Sequence, residues 1–335
     1  MMKTLFPHYY RPSDDEFRGL WKDCVFALDA NVLLNVYGYS ETTREQLLAL
    51  LERLSPRIRM PYQFALEYQR NRIRAIMEQV KNYAKTEKAL EDLYNQELVP
   101  KHKHPFLSDA MLLAFTSIQD DLSTSRKKHE SLFANDPYFD RVTAIVKSVG
   151  SPPATLDSIF DKARARYAAK IPPGYADLKD KGEPDAFGDY VGWVQLMEIS
   201  KSEGKPLILV TDDAKEDWWQ LQSDRTIGPR PELICEFLSE CHQQFYMYSS
   251  DRFMAFARDY LEETVEPSAI EEIKQRRKEQ LRNVSDTKPI SPPSQLDAGG
   301  DQKPVSLPET HGVENLKPIS SPLDLKVGPI IEKPN

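Results

Sequence analysis

Cysteine is scarce in this chain: three in 335 residues (Cys24, Cys235 and Cys241), with no CxxC spacing. That excludes a disulfide framework, gives no support to a zinc knuckle and fits a reducing cytoplasm. No stretch approaches the ~18 consecutive apolar residues of a membrane span. The first residues, MMKTLFPHYYRPSDDEF, lack an apolar segment before Asp14-Asp15-Glu16, so they do not read as a signal peptide. No Gly-rich phosphate loop and no nucleophile elbow is present, which removes the usual phosphate cradle and serine-hydrolase chemistry. Basic charge is also in deficit, with 44 Lys and Arg against 52 Asp and Glu, a net charge of -8 and a pI near 5.4. A polybasic nucleic-acid coat is therefore excluded, although a local basic rim suffices to guide an anionic substrate to an acidic site. The expectation is a soluble cytoplasmic protein without a membrane segment.

Aromatic residues stop at Tyr260, and nine of the 25 prolines fall after Ser285. These limits predict a folded domain over 17–261, a charged and solvated helix over 262–285, and a disordered Pro/Ser-rich tail over 286–335, read as a linker ahead of a docking motif.

Within 17–261, short apolar runs alternate with helical periodicity, which predicts an α/β fold with a parallel sheet flanked by helices. The strand candidates are 24–28, 57–60 (ended by Pro61), 207–210 and 245–248, the last followed by Ser250 as the N-cap of a helix through Phe253, Phe256 and Leu261. Leu207-Ile208-Leu209-Val210 is the clearest, a continuous apolar run of the kind a buried central strand requires. Leu47, Leu48, Leu50, Leu51 and Leu54 form one helical face. From Tyr62 to about Ala169 helical patterns run on without a strand, which predicts a helical insertion over about 75–170.

Asp29 follows the first strand candidate, and Asp212-Asp213 follow the clearest one. Ligands of open parallel sheets bind beyond the carboxyl ends of strands, so both positions suit a metal ligand or catalytic acid. Asp29 alone reads equally as a helix N-cap. Successive acids on extended backbone point to opposite sides, so one of Asp212 and Asp213 faces the site while the other caps or orients. Asn31 and Asn35 stand where they can support Asp29.

Leu28-Asp29-Ala30-Asn31-Val32-Leu33-Leu34-Asn35, the segment from Met60 to Glu67, Phe187-Gly188-Asp189-Tyr190-Val191-Gly192-Trp193, and the segment from Val210 to Trp219 together resemble the PIN-like domains of bacterial proteins. The likeness is to the long subgroup with a helical insertion; Pro172-Pro173-Gly174-Tyr175 leading to Asp177 and Lys181, and Pro229 to Leu233, belong to it too. It covers roughly Phe17 to Leu261. The resemblance implies a PIN-like, Rossmann-like parallel sheet and a metal cluster of Asp29, Glu67, Asp189 and the Asp212/Asp213 pair, with Asp213 as the ligand of the two. It implies Mg²⁺ or Mn²⁺ and hydrolysis of phosphodiester bonds, RNA ahead of DNA, as an endoribonuclease of toxin-like or phage-defence kind. It leaves a regulatory protein partner open.

On sequence alone Glu67 reads as a helix-dipole residue and Asp189 as a helix start, with Asp185 as its nearby substitute; only the resemblance promotes Glu67 and Asp189. Asn31, Lys215, Arg70 and Arg74 are the candidate substrate contacts. Arg72 and the stretch Lys162, Arg164, Arg166 and Lys170 read as either a basic groove or a solvated face. Asp217 reads as a brace, Trp218 and Trp219 as core, and His102 and His104 as an exposed turn without a third metal ligand. Two alternatives stand beside the nuclease: a non-catalytic PIN-like module that binds RNA or a protein, and, further behind, a phosphatase of the haloacid-dehalogenase type, which requires an acid where this chain has Asn31.

Overall fold

The apolar run Val25-Phe26-Ala27-Leu28 forms strand β1 (Val25–Leu28), and Leu207–Val210 forms β2; all eight residues are buried. The computed structural model describes residues 1–286 apart from 101, 105, 106 and 224, and only the backbone of 281–286. The two strands pair in parallel, Val25 opposite Leu207 and Leu28 opposite Val210, and β2 pairs in parallel with Phe245–Tyr248. With Trp219–Gln222 as β3 and Arg225–Pro229 as β4, that last strand is β5, so the main sheet has the order β1-β2-β5. The continuous run predicted for a central strand is indeed central, because both faces of β2 are covered and every position must be apolar.

Helices connect and flank the sheet: α1 (Met2–Leu5), α2 (Asp14–Asp23), α3 (Ala30–Leu34), α4 (Glu41–Leu54), α5 (Tyr62–Leu93), α6 (Asp109–Ser131), α7 (Pro137–Ile145), α8 (Leu156–Ala168), α9 (Gly188–Glu203), α10 (Pro231–Cys241), α11 (Ser250–Leu261) and α12 (Pro267–Asp286). A capping box between Ser13 and Glu16 starts α2, which lays Phe17, Leu20 and Trp21 on the core. Trp21 stacks on Phe253 and donates its indole N–H to the Tyr248 hydroxyl (3.2 Å), tying α2 to α11 and β5. The leucine face of α4 is buried as its spacing requires. From α5 to α8 the described chain is mostly helical, with an irregular stretch over 146–155 ahead of α8, and the long α5 packs along α6.

Two sequence expectations change, and one strand pair had no counterpart in them. Residues 57–60 do not form a strand: Ile58 makes one parallel bridge to Phe26 and Met60 one to Val149. A short 3-10 turn over Ser55–Arg57 precedes them and Pro61 follows, leaving no room for a ladder. Ser249, rather than Ser250, is the N-cap of α11, because the Ser250 N–H and hydroxyl are taken by Asp212 (2.9 Å each). The antiparallel pair β3–β4 was not anticipated; most of its residues are exposed and carry no apolar run.

Residues 262–285 are helical from Pro267, and their one apolar stripe is docked. Val265, Ala269 and Ile273 are buried, and the Glu272 carboxylate accepts from the Ser40 N–H (2.6 Å) and the Thr43 hydroxyl (2.6 Å) at the start of α4. The tail expected over 286–335 lies outside the described residues beyond Asp286. No described helix is long and apolar enough to cross a membrane.

Candidate active site

The parallel register brings Asp29 and Thr211 to the same edge of the sheet: the Asp29 N–H bonds the Val210 carbonyl (2.9 Å) and the Thr211 N–H bonds the Tyr248 carbonyl (3.0 Å). Asp29 occupies the N-cap position of α3, yet its side chain caps nothing. Its carboxylate instead accepts from the Thr211 hydroxyl (2.6 Å) and the Asn31 amide (2.7 Å). Capping therefore does not account for Asp29. Burial, then the neighbouring Glu67 and Asp213 carboxylates, push its pKa up to about 7.

The two acids after β2 diverge. Asp212 turns to the protein, accepting from Asn35 (3.0 Å) and from Ser250, and so braces the start of α11. Asp213 turns the other way; its N–H bonds the Thr211 hydroxyl (3.0 Å), and a carboxylate oxygen lies 2.9 Å from the Lys215 ammonium. Thr211 thus orients both Asp29 and the backbone of Asp213 through one hydroxyl, a role the sequence reading did not give it.

Glu67 lies in the second turn of α5 and Asp189 in the first turn of α9, and neither serves as a helix cap. Glu67 accepts from the Gln63 amide (2.8 Å), and burial raises its pKa. Gly188 admits it, since a Cβ there would stand 2.8 Å from Glu67 Oε1. Asp189 accepts from the Trp218 indole (3.2 Å), and burial raises its pKa well above the usual carboxylate range. Asp185 is exposed. Trp218 and Trp219 are buried, as core residues are.

Sequence reasoning left Asp177 out of the cluster, although it is 2% exposed and part of it. It sits in a short 3-10 turn, Tyr175–Lys179, fixed from behind by Asp217, fully buried, whose carboxylate accepts the Gly174 and Ala176 N–H groups (2.9 Å each). Burial alone would raise the Asp177 carboxyl, but the Lys215 and Lys181 ammonium groups hold it below its ordinary value. The signal available in sequence was Asp177 four residues before Lys181, a helix-like pairing realised at 2.6 Å.

Lys215 is the centre of this arrangement. Its ammonium pairs with Asp177, with Asp213 (2.9 Å) and more loosely with Asp189 (3.7 Å). Burial would lower its pKa, but the three carboxylates override that and raise it. The lysine expected to touch a phosphate is thus committed to the acids. Among the described residues no group of three or more His, Cys, Asp or Glu side chains is arranged to hold a metal ion as it stands. The donor set nevertheless suits a hard divalent cation, being all carboxylate oxygens, and Lys215 shows that three of them converge on one positive charge.

Of the remaining candidates, Asn31 spends its amide on Asp29, on Thr211 (3.2 Å) and, through its carbonyl, on the Asp212 N–H (3.0 Å), so it positions acids. Arg74 lines a cleft beside Asp212 and Asp213, whereas Arg70 is exposed outside it. Arg72 is paired with Asp136 (2.5 Å), Arg164 with Asp161 and Glu183, and Arg166 with Glu236 (2.6 Å); these three arginines hold elements together.

Comparison with curated proteins and with solved structures gave no match. A family model described as a PIN like domain matches residues 25–233, more than half of the chain.

Proposed function

The chain belongs to the PIN-like domain family, and from that premise we propose that it is a divalent-metal-dependent nuclease that hydrolyses phosphodiester bonds, RNA ahead of DNA. The observation that carries this reading is the meeting of Asp29, Glu67, Asp177, Asp189 and Asp213, delivered by separate segments, at the carboxyl edge of one parallel sheet. Carboxylates massed in this way raise one another's pKa values and are stabilised by cations. Asp29, Glu67, Asp189 and Asp213 would hold Mg²⁺ or Mn²⁺, and such an ion lowers the pKa of water and neutralises charge growing on phosphate.

The protein's own part is positional. Thr211 and Asn31 fix the Asp29 carboxylate, Gln63 fixes Glu67, the Trp218 indole fixes Asp189, and Asp212 stays with Ser250 as a brace. A non-catalytic module is favoured by one observation, the Lys215 ammonium seated on three of the same acids. Incubating the protein with end-labelled single-stranded RNA, duplex RNA and single-stranded DNA in Mg²⁺, Mn²⁺ or EDTA separates the two readings. The nuclease cuts at least one of these with metal and none with EDTA; a folded, metal-supplied protein that cuts none is the binding module.

A further inference from the structure

A cleft of about 260 Å³ opens beside Asp212 and Asp213, smaller than the ~300–1,000 Å³ of pockets that engulf small molecules. α5 forms one wall, with Asn71, Arg74 and Glu78, and α12 another, with Arg276 and Gln280; Asn31 and Asn35 also line the cleft. The α12 residues lie beyond the stretch matched by the family model, which ends at 233. We propose that α12 completes a binding subsite for the backbone of single-stranded nucleic acid, which lays the strand across the acidic edge. This rests on the nuclease reading for the fate of the strand but not for its binding.

Charge is the first argument. Most arginines near the site are committed to carboxylates, as Arg72 is to Asp136 and Arg166 to Glu236. Arg74 and Arg276 form no ion pair among the described residues, although both line the cleft. Among the described residues Arg276 donates to the Gly38 carbonyl (3.1 Å) and lies over the Tyr39 ring, and its buried Nε has no partner. Glu78, Asp212 and Asp213 line the same cleft and Glu272 lies one turn from Arg276, but among the described residues neither guanidinium is in an ion pair, so both can donate to phosphate oxygens, which accept from a planar fork.

Anchoring is the second. Glu272, one turn before Arg276, is clamped by Ser40 and Thr43, while Ala269 and Ile273 are buried, so Arg276 is presented from a fixed helix. A chain of amides links this wall to the acids: Gln280 donates to Asn35 (2.9 Å), Asn35 to Asp212 (3.0 Å), and Asn31 joins Asp212 to Asp29. The Asn71 and Gln280 amide nitrogens are engaged, but among the described residues their carbonyl oxygens accept no hydrogen bond and can meet base edges, which are open only when the strand is unpaired.

The test is fluorescence anisotropy with a labelled 12-mer of RNA, the same sequence in DNA, and the RNA duplex. Each is titrated in EDTA, where a metal-dependent nuclease is silent, over a range of salt. Arg74→Ala and Gln280→Ala change exposed side chains; Arg276→Gln keeps the bulk of a packed one, and thermal melting checks that it folds. We expect the native protein to bind a single strand, RNA or DNA according to which source fits, and to prefer it over duplex. Each arginine change should weaken binding about tenfold and reduce the salt slope by ~0.7, as loss of one single-strand phosphate contact does. A merely structural role for Arg276 would leave that slope unchanged. The proposal is overturned if the native protein binds no single strand, if it prefers duplex, or if folded Arg74→Ala and Arg276→Gln proteins keep native affinity and slope. Cleavage of the same oligonucleotides with Mn²⁺ is scored separately. Cutting that ignores both arginines leaves the nuclease reading and removes this subsite, whereas arginine-dependent binding without cutting does the reverse.

Discussion

Lys215 puts one positive charge among Asp177, Asp189 and Asp213, where the account also requires a divalent ion. Removing it has opposite consequences with and without metal. Lys215→Met leaves buried carboxylates without their cation, so the EDTA-treated protein should melt lower, while the rise in melting temperature on adding Mn²⁺ should exceed the native rise. Differential scanning fluorimetry with and without Mn²⁺ measures both; equal metal-induced shifts would mean that lysine and metal do not compete. The pH dependence follows from the same carboxylates. Asp29 is pushed up to about 7, and Glu67, Asp189, Asp212 and Asp217 are also raised, chiefly by burial; Asp177 alone in the cluster is lowered. A raised acid binds its proton more tightly in the folded state, so its contribution is present below the ordinary carboxylate pKa and is lost as pH rises through the folded value. For Asp29 the loss runs from about pH 4 to about pH 7. The metal-free protein should therefore melt lower at pH 8 than at pH 5, by roughly 5 °C or more. A divalent ion should restore more at pH 8 than at pH 5, and a flat metal-free profile would contradict the burial of these acids.

At the scale of elements, two glycines shape the site in different ways. Gly174 has φ +93°, and a Cβ there would meet the Tyr167 hydroxyl at 2.1 Å and Asp189 Cβ at 2.9 Å. Gly174→Ala should cost on the order of 1–3 kcal/mol, read as a lower melting temperature. Gly188 is the first residue of α9 and has negative φ, so Gly188→Ala is unstrained in the backbone and narrows the unfolded ensemble, while its methyl presses on Glu67 Oε1. Its stability should hold or rise while metal-dependent cleavage falls, an outcome distinct from misfolding. Legibility in the sequence also divides by element. The apolar runs of β1, β2 and β5 announce the sheet, and the acids at their ends announce Asp29 and Asp213, because strand ends in a parallel sheet are fixed by local pattern. Glu67 and Asp189 sit on helices whose approach to that edge depends on packing, so residue pattern alone makes them ordinary helix acids. Asp177 showed only its four-residue spacing to Lys181; its place in the cluster depends on a turn held by Asp217 some forty residues away, and the commitment of Lys215 depends in turn on Asp177. The β3–β4 pair carries no apolar alternation that could have marked it.

Across the whole molecule, the parallel sheet supplies the acids from its carboxyl edge, and α12 closes the cleft beside them from outside the family-matched stretch. That helix is strongly charged, and the stripe that docks it, Val265, Ala269 and Ile273 at four-residue spacing, is sparse enough to read as solvated. Ile273→Ala should cost about 2–4 kcal/mol and expose α12 to limited proteolysis before the rest of the fold. Unchanged melting and proteolysis would show α12 to be dispensable to the folded body. The central claim, that these carboxylates form a metal-dependent nuclease site, is tested most directly by timed cleavage of labelled single-stranded RNA in Mn²⁺ by the native protein and by Asp29→Asn, matched by circular dichroism. Cutting by the native protein and a loss of at least roughly 100-fold in the variant are expected; equal rates in the two would show that Asp29 takes no part in cleavage.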